Sequence, residues 1–256
     1  MLRLKDKVVI VTGSGQGMGL AIAQSCAREG AKIVITDIND DTIAKAVDVV
    51  KALGVEALGV RMDVTNKQQI AAMVGKTVEA WGGVDVLVNN AGGSLNTPYT
   101  LDEIEEKHWD LVVDVNMKGT FLCCQQVIPQ MAKQGRGAIV NISALAGHWR
   151  ASLAGVQYAA AKAGVEGISR QLAYDWGPKG IRINSLAPTV TMTGQRMQGL
   201  WDDKGQDERD RILANIPLRR LSSPEEIGAG VVFLASDDAS YITGITLDVC
   251  GGRYLR

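Results

Sequence analysis

The chain has 256 residues, of which 46% are apolar and 21% charged, and its formal net charge is −1. This composition is typical of a folded domain with a large buried core, and the absence of a basic run argues against a nucleic-acid partner. No apolar run reaches the roughly 20 residues that span a bilayer, and no secretory signal pattern opens the chain, so we expect a cytoplasmic protein without a membrane partner.

Short β-rich runs alternate with longer helical stretches along the sequence. The runs predicted to be strands cover residues 8–11, 33–37, 55–62, 84–88, 138–142, 181–186 and 245–249. The predicted helices cover residues 18–29, 40–53, 66–82, 101–132 and 157–176, and a further helix begins after residue 223. Because apolar strands separated by helices form parallel sheets covered on both faces, we predict an α/β fold. The expected architecture is a single doubly wound Rossmann-type domain over residues 1–256, with a parallel sheet of about seven strands.

Two helix starts have capping-box spacing. Thr65 with Gln68 predicts the start of the third helix, and Ser223 with Glu226 predicts the start of the last one. Residues 188–217 follow no regular pattern, although they lie inside the predicted domain. We interpret this stretch as a substrate lid, because long loops without a regular pattern are commonly lids or binding loops.

The four cysteines do not form a C-x-x-C pair, and the chain has only two histidines. The cysteines are Cys26, Cys123, Cys124 and Cys250. We therefore predict reduced, buried cysteines and no metal site.

A glycine-rich segment lies directly between the first predicted strand and the first predicted helix. It reads Thr-Gly-Ser-Gly-Gln-Gly-Met-Gly over residues 12–19. Glycines allow a pyrophosphate to approach the start of a helix, where free N–H groups and the helix dipole favour anions. The segment predicts a dinucleotide site; the alternative is a glycine-rich turn without a ligand.

Asp37 ends the second predicted strand, where a carboxylate meets the ribose hydroxyls of the adenosine. Such a carboxylate repels the additional phosphate of NADP. No arginine or lysine occurs at positions 14–16 or 38 to receive that phosphate. We therefore predict NAD as the cofactor; the alternative is that Asp37 only caps a helix.

Tyr158 and Lys162 are spaced by four residues, so they share one face of a predicted helix. A tyrosine has a reference pKa of about 10, and a neighbouring cation favours its anion. Ser143 ends the preceding strand-like run and could hydrogen-bond a substrate oxygen. These three residue types predict a general acid/base that moves a proton on and off an alcohol.

Taken together, the motifs resemble the short-chain dehydrogenases/reductases over residues 5–252. The matching positions are residues 12–19, Asp63, Val64, Asn89, Asn90, Ala91, Gly92, Asn116, Ser143, Tyr158, Lys162, Asn184 and Pro188. The resemblance implies an oxidoreductase that transfers a hydride between NAD(H) and an alcohol or ketone.

The resemblance also implies a catalytic set of Asn116, Ser143, Tyr158 and Lys162. Tyr158 would exchange the proton, and Ser143 would polarise the substrate oxygen. Lys162 would lower the pKa of Tyr158 and bind the nicotinamide ribose. Asn116 would hold a water molecule in the proton relay.

A larger set of cofactor-binding residues follows from the same resemblance. Asp63 and Val64 would flank the adenine, and either Thr191 or Thr193 would reach the nicotinamide carboxamide. That choice stays open, because the family often has glycine where this chain has Thr189. The full implied set is Gly13, Gln16, Gly17, Met18, Gly19, Asp37, Asp63, Val64, Asn90, Gly92, Tyr158, Lys162, Pro188, Thr191 and Thr193.

The substrate is predicted to be a small polar secondary alcohol or ketone, such as a polyol, sugar or sugar acid. Leu145, His148 and Arg150 lie on the segment that leads to Tyr158, and Arg196 begins the lid, so we expect them at the pocket rim. An arginine there could anchor a carboxylate. The alternative is that both arginines are solvated.

Two other functions remain open. One is a ketone reductase like the 3-oxoacyl-carrier-protein reductases, which commonly use NADPH and carry a basic residue where this chain has Gln16. The other is a non-catalytic nucleotide sensor, although such relatives usually lose the tyrosine or lysine that this chain keeps. The resemblance also implies a homotetramer, in which helices from regions 101–132 and 157–176 pair across subunits.

Overall fold

Seven parallel strands form a sheet in the computed structural model, which describes residues 2–150 and 154–255. The strands are β1 (Val8–Thr12), β2 (Lys32–Asp37), β3 (Ala57–Arg61), β4 (Val86–Asn89), β5 (Gly137–Ile142), β6 (Ile181–Pro188) and β7 (Thr246–Val249). Their order across the sheet is β3-β2-β1-β4-β5-β6-β7. The predicted parallel sheet of about seven strands is therefore confirmed.

Helices cover both faces of this sheet. They are α1 (Gly17–Arg28), α2 (Asp40–Lys51), α3 (Lys67–Trp81), α4 (Glu106–Val113), α5 (Gly119–Gln134), α6 (Val156–Trp176), α7 (Gln195–Asp202), α8 (Gln206–Ala214) and α9 (Pro224–Ala235). Successive β1 residues face opposite cores: Val9 and Val11 pack with α1, α2 and α9, whereas Ile10 packs with α3 and α5. Burial on both faces explains why β1 is apolar throughout.

The order in which successive strands are added to the sheet reverses after β3, so that β1 and β4 become neighbours. From β1 it builds outward through β2 to β3, and it then returns to place β4 on the other side of β1. In open sheets of this kind, ligands bind beyond the carboxyl ends of the strands at such a switch point. The glycine-rich segment follows β1 and therefore lies at this crevice.

The predicted start of α3 is wrong in detail. Asn66 is the N-cap, and its side-chain oxygen accepts a hydrogen bond from the Gln69 amide at 3.1 Å. The Thr65 hydroxyl cannot cap the helix, because it donates to the Asp63 carboxylate at 2.7 Å. In contrast, the capping box of Ser223 at the start of α9 is confirmed.

Two predicted long segments are divided in the structure. The helical region 101–132 contains a short 3-10 turn, then α4, and then a π-helical turn over Asp114–Lys118 that runs into α5. The stretch 188–217 is not irregular throughout, since it contains α7 and α8. Its base is held by a bridge between Thr191 and Ser222, whose hydroxyl oxygens are 2.7 Å apart.

The four cysteines are buried and form no disulfide. Burial raises the pKa of the Cys26 and Cys124 thiols to about 12. Within the described residues, no cluster of three or more His, Cys, Asp or Glu side chains could hold a metal ion. No described helix has the length and apolar character needed to cross a bilayer.

Candidate active site

The glycine-rich segment makes an anion-binding cradle at the start of α1. Gly13 and Gly17 have φ values of +61° and +58°, a left-handed conformation that favours glycine. A Cβ at Gly13 would lie 2.9 Å from the Ala91 Cα, and no atom lies within 4 Å of a Cβ position at Gly17. Gln16 is the N-cap residue of α1, but its side chain does not hydrogen-bond to the amides of the first turn. No acidic residue occupies that turn. The free amides of α1 therefore suit a phosphate group.

Asn90 fastens this cradle to the end of β4. Its side-chain nitrogen donates to the carbonyl oxygens of Thr12 and Gly13, at 2.9 and 3.1 Å. Its side-chain oxygen is buried and has no hydrogen-bond partner within the described part of the chain. An unpaired buried acceptor beside an open cradle fits a bound group that brings a donor. The residues present therefore fit a dinucleotide.

The Asp37 carboxylate lies directly against the cradle. One oxygen accepts from the Gly15 amide at 3.1 Å, and the other accepts from the Ile38 amide at 2.8 Å. Arg61 is the register partner of Asp37 on β3, but its guanidinium lies 3.6 Å from the Asp40 carboxylate. The sequence could not indicate this basic neighbour, because only strand pairing brings it there.

The positions predicted to flank the adenine form the turn after β3. The Asp63 side chain accepts from the amide and hydroxyl of Thr65, at 2.8 and 2.7 Å. Val64 is 7% exposed and packs on Gly119, where a Cβ would lie 2.8 Å from a Val64 methyl group. This close contact joins the turn to the start of α5.

Tyr158 and Lys162 lie one turn apart on α6, as predicted from their spacing. The Lys162 Nζ lies 5.6 Å from the centre of the Tyr158 ring and donates to the Ile142 carbonyl at 2.8 Å. Burial lowers the pKa of Lys162 to about 8 and raises the pKa of Tyr158 to about 12. Both directions follow from the cost of removing a charged form from water.

Ser143 does not have the environment expected of a residue that contacts substrate. It is 1% exposed, and its hydroxyl donates to Glu166 Oε1 at 2.8 Å and lies 3.2 Å from the Lys162 carbonyl. The next residue, Ala144, has an extended backbone and no hydroxyl. The hydroxyl of Ser143 therefore joins the end of β5 to α6.

Asn116 lies within the π-helical turn and is fully buried. Its side-chain nitrogen donates to the carbonyls of Gly93 and Val112, both at 2.9 Å, and its oxygen accepts from the Gly93 amide at 2.9 Å. A Cβ at Gly92 would collide with the same oxygen. The side-chain donors are thus already used, and the Asn116 carbonyl, which accepts from the Thr120 hydroxyl, is the better candidate to hold a water.

The residues expected to contact substrate differ in their exposure and in their contacts. Leu145 is 4% exposed, and the Arg150 guanidinium is stacked over the Trp149 ring at 5.1 Å. His148 Nδ1 is hydrogen-bonded to Glu166 Oε1 at 2.8 Å, and its Nε2 lies 3.0 Å from Asp248 Oδ1 without hydrogen-bond geometry. The side chain of Arg196 lies outside the described residues.

The two threonines that could reach the nicotinamide carboxamide, Thr191 and Thr193, differ in their contacts. The Thr191 side chain is 7% exposed, and its hydroxyl lies 3.2 Å from the Thr189 carbonyl and 2.7 Å from the Ser222 hydroxyl. These contacts make it part of the lid base. Thr193 is only partly buried and lies beyond that base. Pro188 is the buried last residue of β6, immediately before the lid.

The sequence is similar to those of known oxidoreductases. A family model described as Enoyl-(Acyl carrier protein) reductase matches residues 13–253. The chain is 38% identical over 252 residues to the (2S)-[(R)-hydroxy(phenyl)methyl]succinyl-CoA dehydrogenase subunit BbsD of Thauera aromatica, covering 98% of each protein. It is 36% identical over 251 residues to the 3-oxoacyl-[acyl-carrier-protein] reductase FabG of Thermotoga maritima, covering 98% of this chain and 99% of the relative.

A solved structure of a protein assigned as a short-chain alcohol dehydrogenase from Sinorhizobium meliloti 1021 has the same fold. Its TM-score to this chain is 0.91 at 34% identity, and 98% of each chain is covered. The sheet, its dinucleotide cradle and these relatives define an oxidoreductase that uses a nicotinamide cofactor. More narrowly, the chain belongs to the short-chain dehydrogenase/reductase family, and the resemblance seen in the sequence is confirmed.

Proposed function

We propose that this protein interconverts a secondary alcohol and its ketone with NAD(H), using Tyr158 as the proton-exchanging group. The observation that carries the proposal is the Tyr158–Lys162 pair on α6, in which Lys162 is buried and Tyr158 half-buried. A non-catalytic sensor would have no need of this pair. The cofactor, when bound in the cradle, supplies the hydride acceptor or donor.

The protein's own part in the reaction is to hold and move a proton. A Tyr158 hydroxyl with a pKa of about 12 is a weak base near neutral pH unless its anion is stabilised. The ammonium group of Lys162 lies close enough to stabilise it. The Lys162 Nζ is itself positioned by the Ile142 carbonyl. We leave Ser143 out of the proton transfer, because its hydroxyl donates to Glu166.

Replacing Ser143 with alanine should therefore have a modest effect. We expect turnover to fall by less than about tenfold, since a group that exchanges a proton with substrate contributes at least about 100-fold. Steady-state kinetics on Ser143→Ala, with Ala144→Gly as a neighbouring control, would measure this. A loss of about 100-fold or more would return Ser143 to the catalytic set.

NAD is proposed as the cofactor because the Asp37 carboxylate is fixed beside the cradle by the Gly15 and Ile38 amides. A carboxylate in this place accepts from ribose hydroxyls and repels the phosphate of NADP. The Arg61 guanidinium, the nearest cation by strand register, is directed to Asp40. Gln16 contributes no charge.

Asp37→Ala should lower kcat/KM with NAD by about 10- to 100-fold, which corresponds to the loss of a charged hydrogen bond, and should improve the relative use of NADP. The measurement is kcat/KM with each cofactor. Asp41→Ala, which changes an exposed carboxylate in the first turn of α2, is the matched control. A wild-type protein that is clearly faster with NADPH would refute the proposed preference.

For the substrate, we propose a small polar alcohol or ketone, such as a polyol, sugar or sugar acid. An open cavity of about 520 Å³ lies along the lid, lined by Met192, Gly194, Gln198, Gly199 and Asp202. The Gln198 amide donates to the Asp202 carboxylate at 2.9 Å, so the lid side of this cavity is polar, and neither Tyr158 nor Lys162 is among its lining residues. The exposed guanidinium of Arg150 would add an anion-binding group at the rim.

A second candidate is a hydroxyacyl or oxoacyl thioester. The names of the relatives favour it, because BbsD is named for a succinyl-CoA substrate and FabG for an acyl-carrier-protein substrate. A panel of polyols, sugar acids and hydroxyacyl thioesters, assayed with NAD for NADH formation, distinguishes the two. Activity confined to the thioesters would replace the first substrate class with the second.

The proposed assembly is a homotetramer. Aromatic side chains are exposed on the helices expected at its interfaces: Trp109 is 40% exposed, Phe121 42% and Tyr174 83%. Contiguous apolar patches mark contact surfaces, and these three side chains lie on the helices that would pair across subunits. Light scattering should report four subunits, and Phe121→Arg should shift the mass downward. A monomeric wild-type protein at working concentration would contradict this prediction.

A further inference from the structure

A second cluster of titratable side chains, buried or half-buried, lies near the Tyr158–Lys162 pair. His148 lies between two carboxylates, with Nδ1 2.8 Å from Glu166 Oε1 and Nε2 3.0 Å from Asp248 Oδ1. The side chains of the histidine and the two acids are only 16%, 6% and 18% exposed. Glu166 Oε1 also accepts the hydroxyl of Ser143. We call these four residues the histidine clamp.

The side chains of the histidine clamp stabilise one another in a site with little solvent. Carboxylates are rarely buried unless they are paired, because burial removes their hydration. Glu166 Oε1 is hydrogen-bonded to both His148 Nδ1 and the Ser143 hydroxyl, each at 2.8 Å, whereas the 3.0 Å contact between His148 Nε2 and Asp248 Oδ1 does not have hydrogen-bond geometry. Removing the ring would take one hydrogen bond from Glu166 Oε1 and leave a space between the Glu166 and Asp248 side chains.

The histidine clamp joins separate parts of the fold around the catalytic helix. Ser143 follows β5, His148 lies on the loop after it, Glu166 is on α6, and Asp248 is on β7. Glu166 is one turn beyond Lys162 on α6. The loop that leads to Tyr158 is therefore attached to the same helix that carries the Tyr158–Lys162 pair.

Gly147 shows how closely this loop lies against α6. A Cβ at Gly147 would lie 2.8 Å from Glu166 Oε1, 2.9 Å from the Ser143 hydroxyl and 3.0 Å from the Lys162 carbonyl carbon. The loop leaves no space for a side chain at this point. Its distance from the helix is thus set by direct contact with the histidine clamp.

The C-terminal residues extend these contacts toward the lid. The Tyr254 ring packs edge-on against His148, with centroids 5.1 Å apart, and against Trp149 at 5.9 Å. The Gly251 carbonyl accepts from the Leu218 amide at 3.1 Å, just beyond the lid. The segment that follows Asp248 therefore contacts both the loop and the residue just after the lid.

We propose that His148 is a positioning residue: together with Glu166 and Asp248 it holds the loop of residues 145–150 against α6, and so sets the wall of the substrate pocket without touching substrate. This proposal rests on the proposed function for its kinetic consequence. Its structural consequence does not depend on the substrate. The role differs from the substrate contact that the sequence indicated for His148.

Hydrogen–deuterium exchange gives the test that is independent of activity. In His148→Ala, peptides covering residues 144–150 should exchange faster, because the amides of Gly147, His148 and Trp149 are bonded only within this loop, to Ala144 and Leu145. Peptides from α1 should exchange as in the wild type, which shows that the fold is intact. The milder variant Asp248→Asn should give a smaller effect of the same kind. Unchanged exchange over residues 144–150 in both variants would overturn the proposal.

Steady-state kinetics tests the consequence for substrate binding. His148→Ala should raise the substrate KM about tenfold or more, with a smaller change in kcat and no change in the KM for NAD. His148→Gln, which retains an N–H donor, should restore part of the loss, and His108→Ala is the matched control on α4. A fall in kcat comparable to that of Tyr158→Phe at unchanged KM would overturn the proposal, because it would place His148 in the chemistry. If no secondary alcohol or ketone reacts with the wild type, the proposed function fails, and the exchange experiment still decides the role of the histidine clamp.

Discussion

Tyr158→Phe should reduce turnover by about 10²- to 10⁴-fold, the range typical of a lost general acid/base. The substitution removes only the hydroxyl and keeps the ring that packs near the Lys162 ammonium. Cofactor binding should therefore survive, because the cradle at the start of α1 is separate from the hydroxyl. The comparison requires kcat with a saturating alcohol and the Kd for NADH, measured on the same preparation.

Tyr174→Phe is the matched control for this experiment. Tyr174 lies on the same helix but is 83% exposed, so removing its hydroxyl should leave turnover unchanged. Near-normal turnover in Tyr158→Phe would mean that another group exchanges the proton. Loss of NADH binding together with turnover would instead indicate a damaged fold.

Lys162→Met should lose both turnover and cofactor affinity. The ammonium group lies 5.6 Å from the centre of the Tyr158 ring, and the resemblance gives it a second role at the nicotinamide ribose. We expect turnover to fall by at least about 100-fold and the Kd for NADH to rise. Lys162→Arg keeps the charge but cannot reproduce the compact ammonium beside the Ile142 carbonyl, so it should recover only part of the activity.

The pH dependence of unfolding distinguishes a loss of catalysis in Lys162→Met from a loss of folding. Burial lowers the pKa of Lys162 to about 8 from an ordinary value of 10.5, so the folded state disfavours its charged form. The wild type should therefore gain stability as the pH rises from about 8 toward 10.5. Lys162→Met should lack this part of the pH dependence and unfold at an equal or higher denaturant concentration at pH 7. A variant that is strongly destabilised at pH 7 would mean that its lost activity reports unfolding.

The parts of the site that depend on local sequence could be predicted. The strand, glycine turn and helix are consecutive in the chain, so the cradle from Gly13 to Gly19 follows from spacing alone. The four-residue interval between Tyr158 and Lys162 likewise places both on one helical face. The capping box at Ser223 is local too, whereas that of Thr65 was wrong because Asp63 competes for the same hydroxyl.

The orientation of Ser143 could have been predicted from strand alternation. Side chains two residues apart on a strand share a face, so Ser143 follows Asn141. Asn141 donates to Ser169 on α6, and Ser143 donates to Glu166 on the same helix. This period predicts that the Ser143 hydroxyl lies on the α6 side of the sheet, and the catalytic role assigned to it from the sequence stays a prediction.

The histidine clamp could not be predicted from the sequence. Glu166 and Asp248 lie far along the chain from His148, and no motif links the three residues. Only the right-handed crossovers of the sheet bring β7 beside β6 and α6. The same limit applies to Arg61, which approaches Asp37 through strand register.

The most direct test of the proposed function is NADH formation from NAD and a panel of secondary alcohols, with wild type and Tyr158→Phe measured side by side. We expect the wild type to oxidise at least one polar secondary alcohol and to prefer NAD to NADP, and we expect Tyr158→Phe to lose that activity while still binding NADH. A wild type that binds NADH but reacts with no alcohol, ketone or hydroxyacyl thioester, or a Tyr158→Phe variant as active as the wild type, would contradict it.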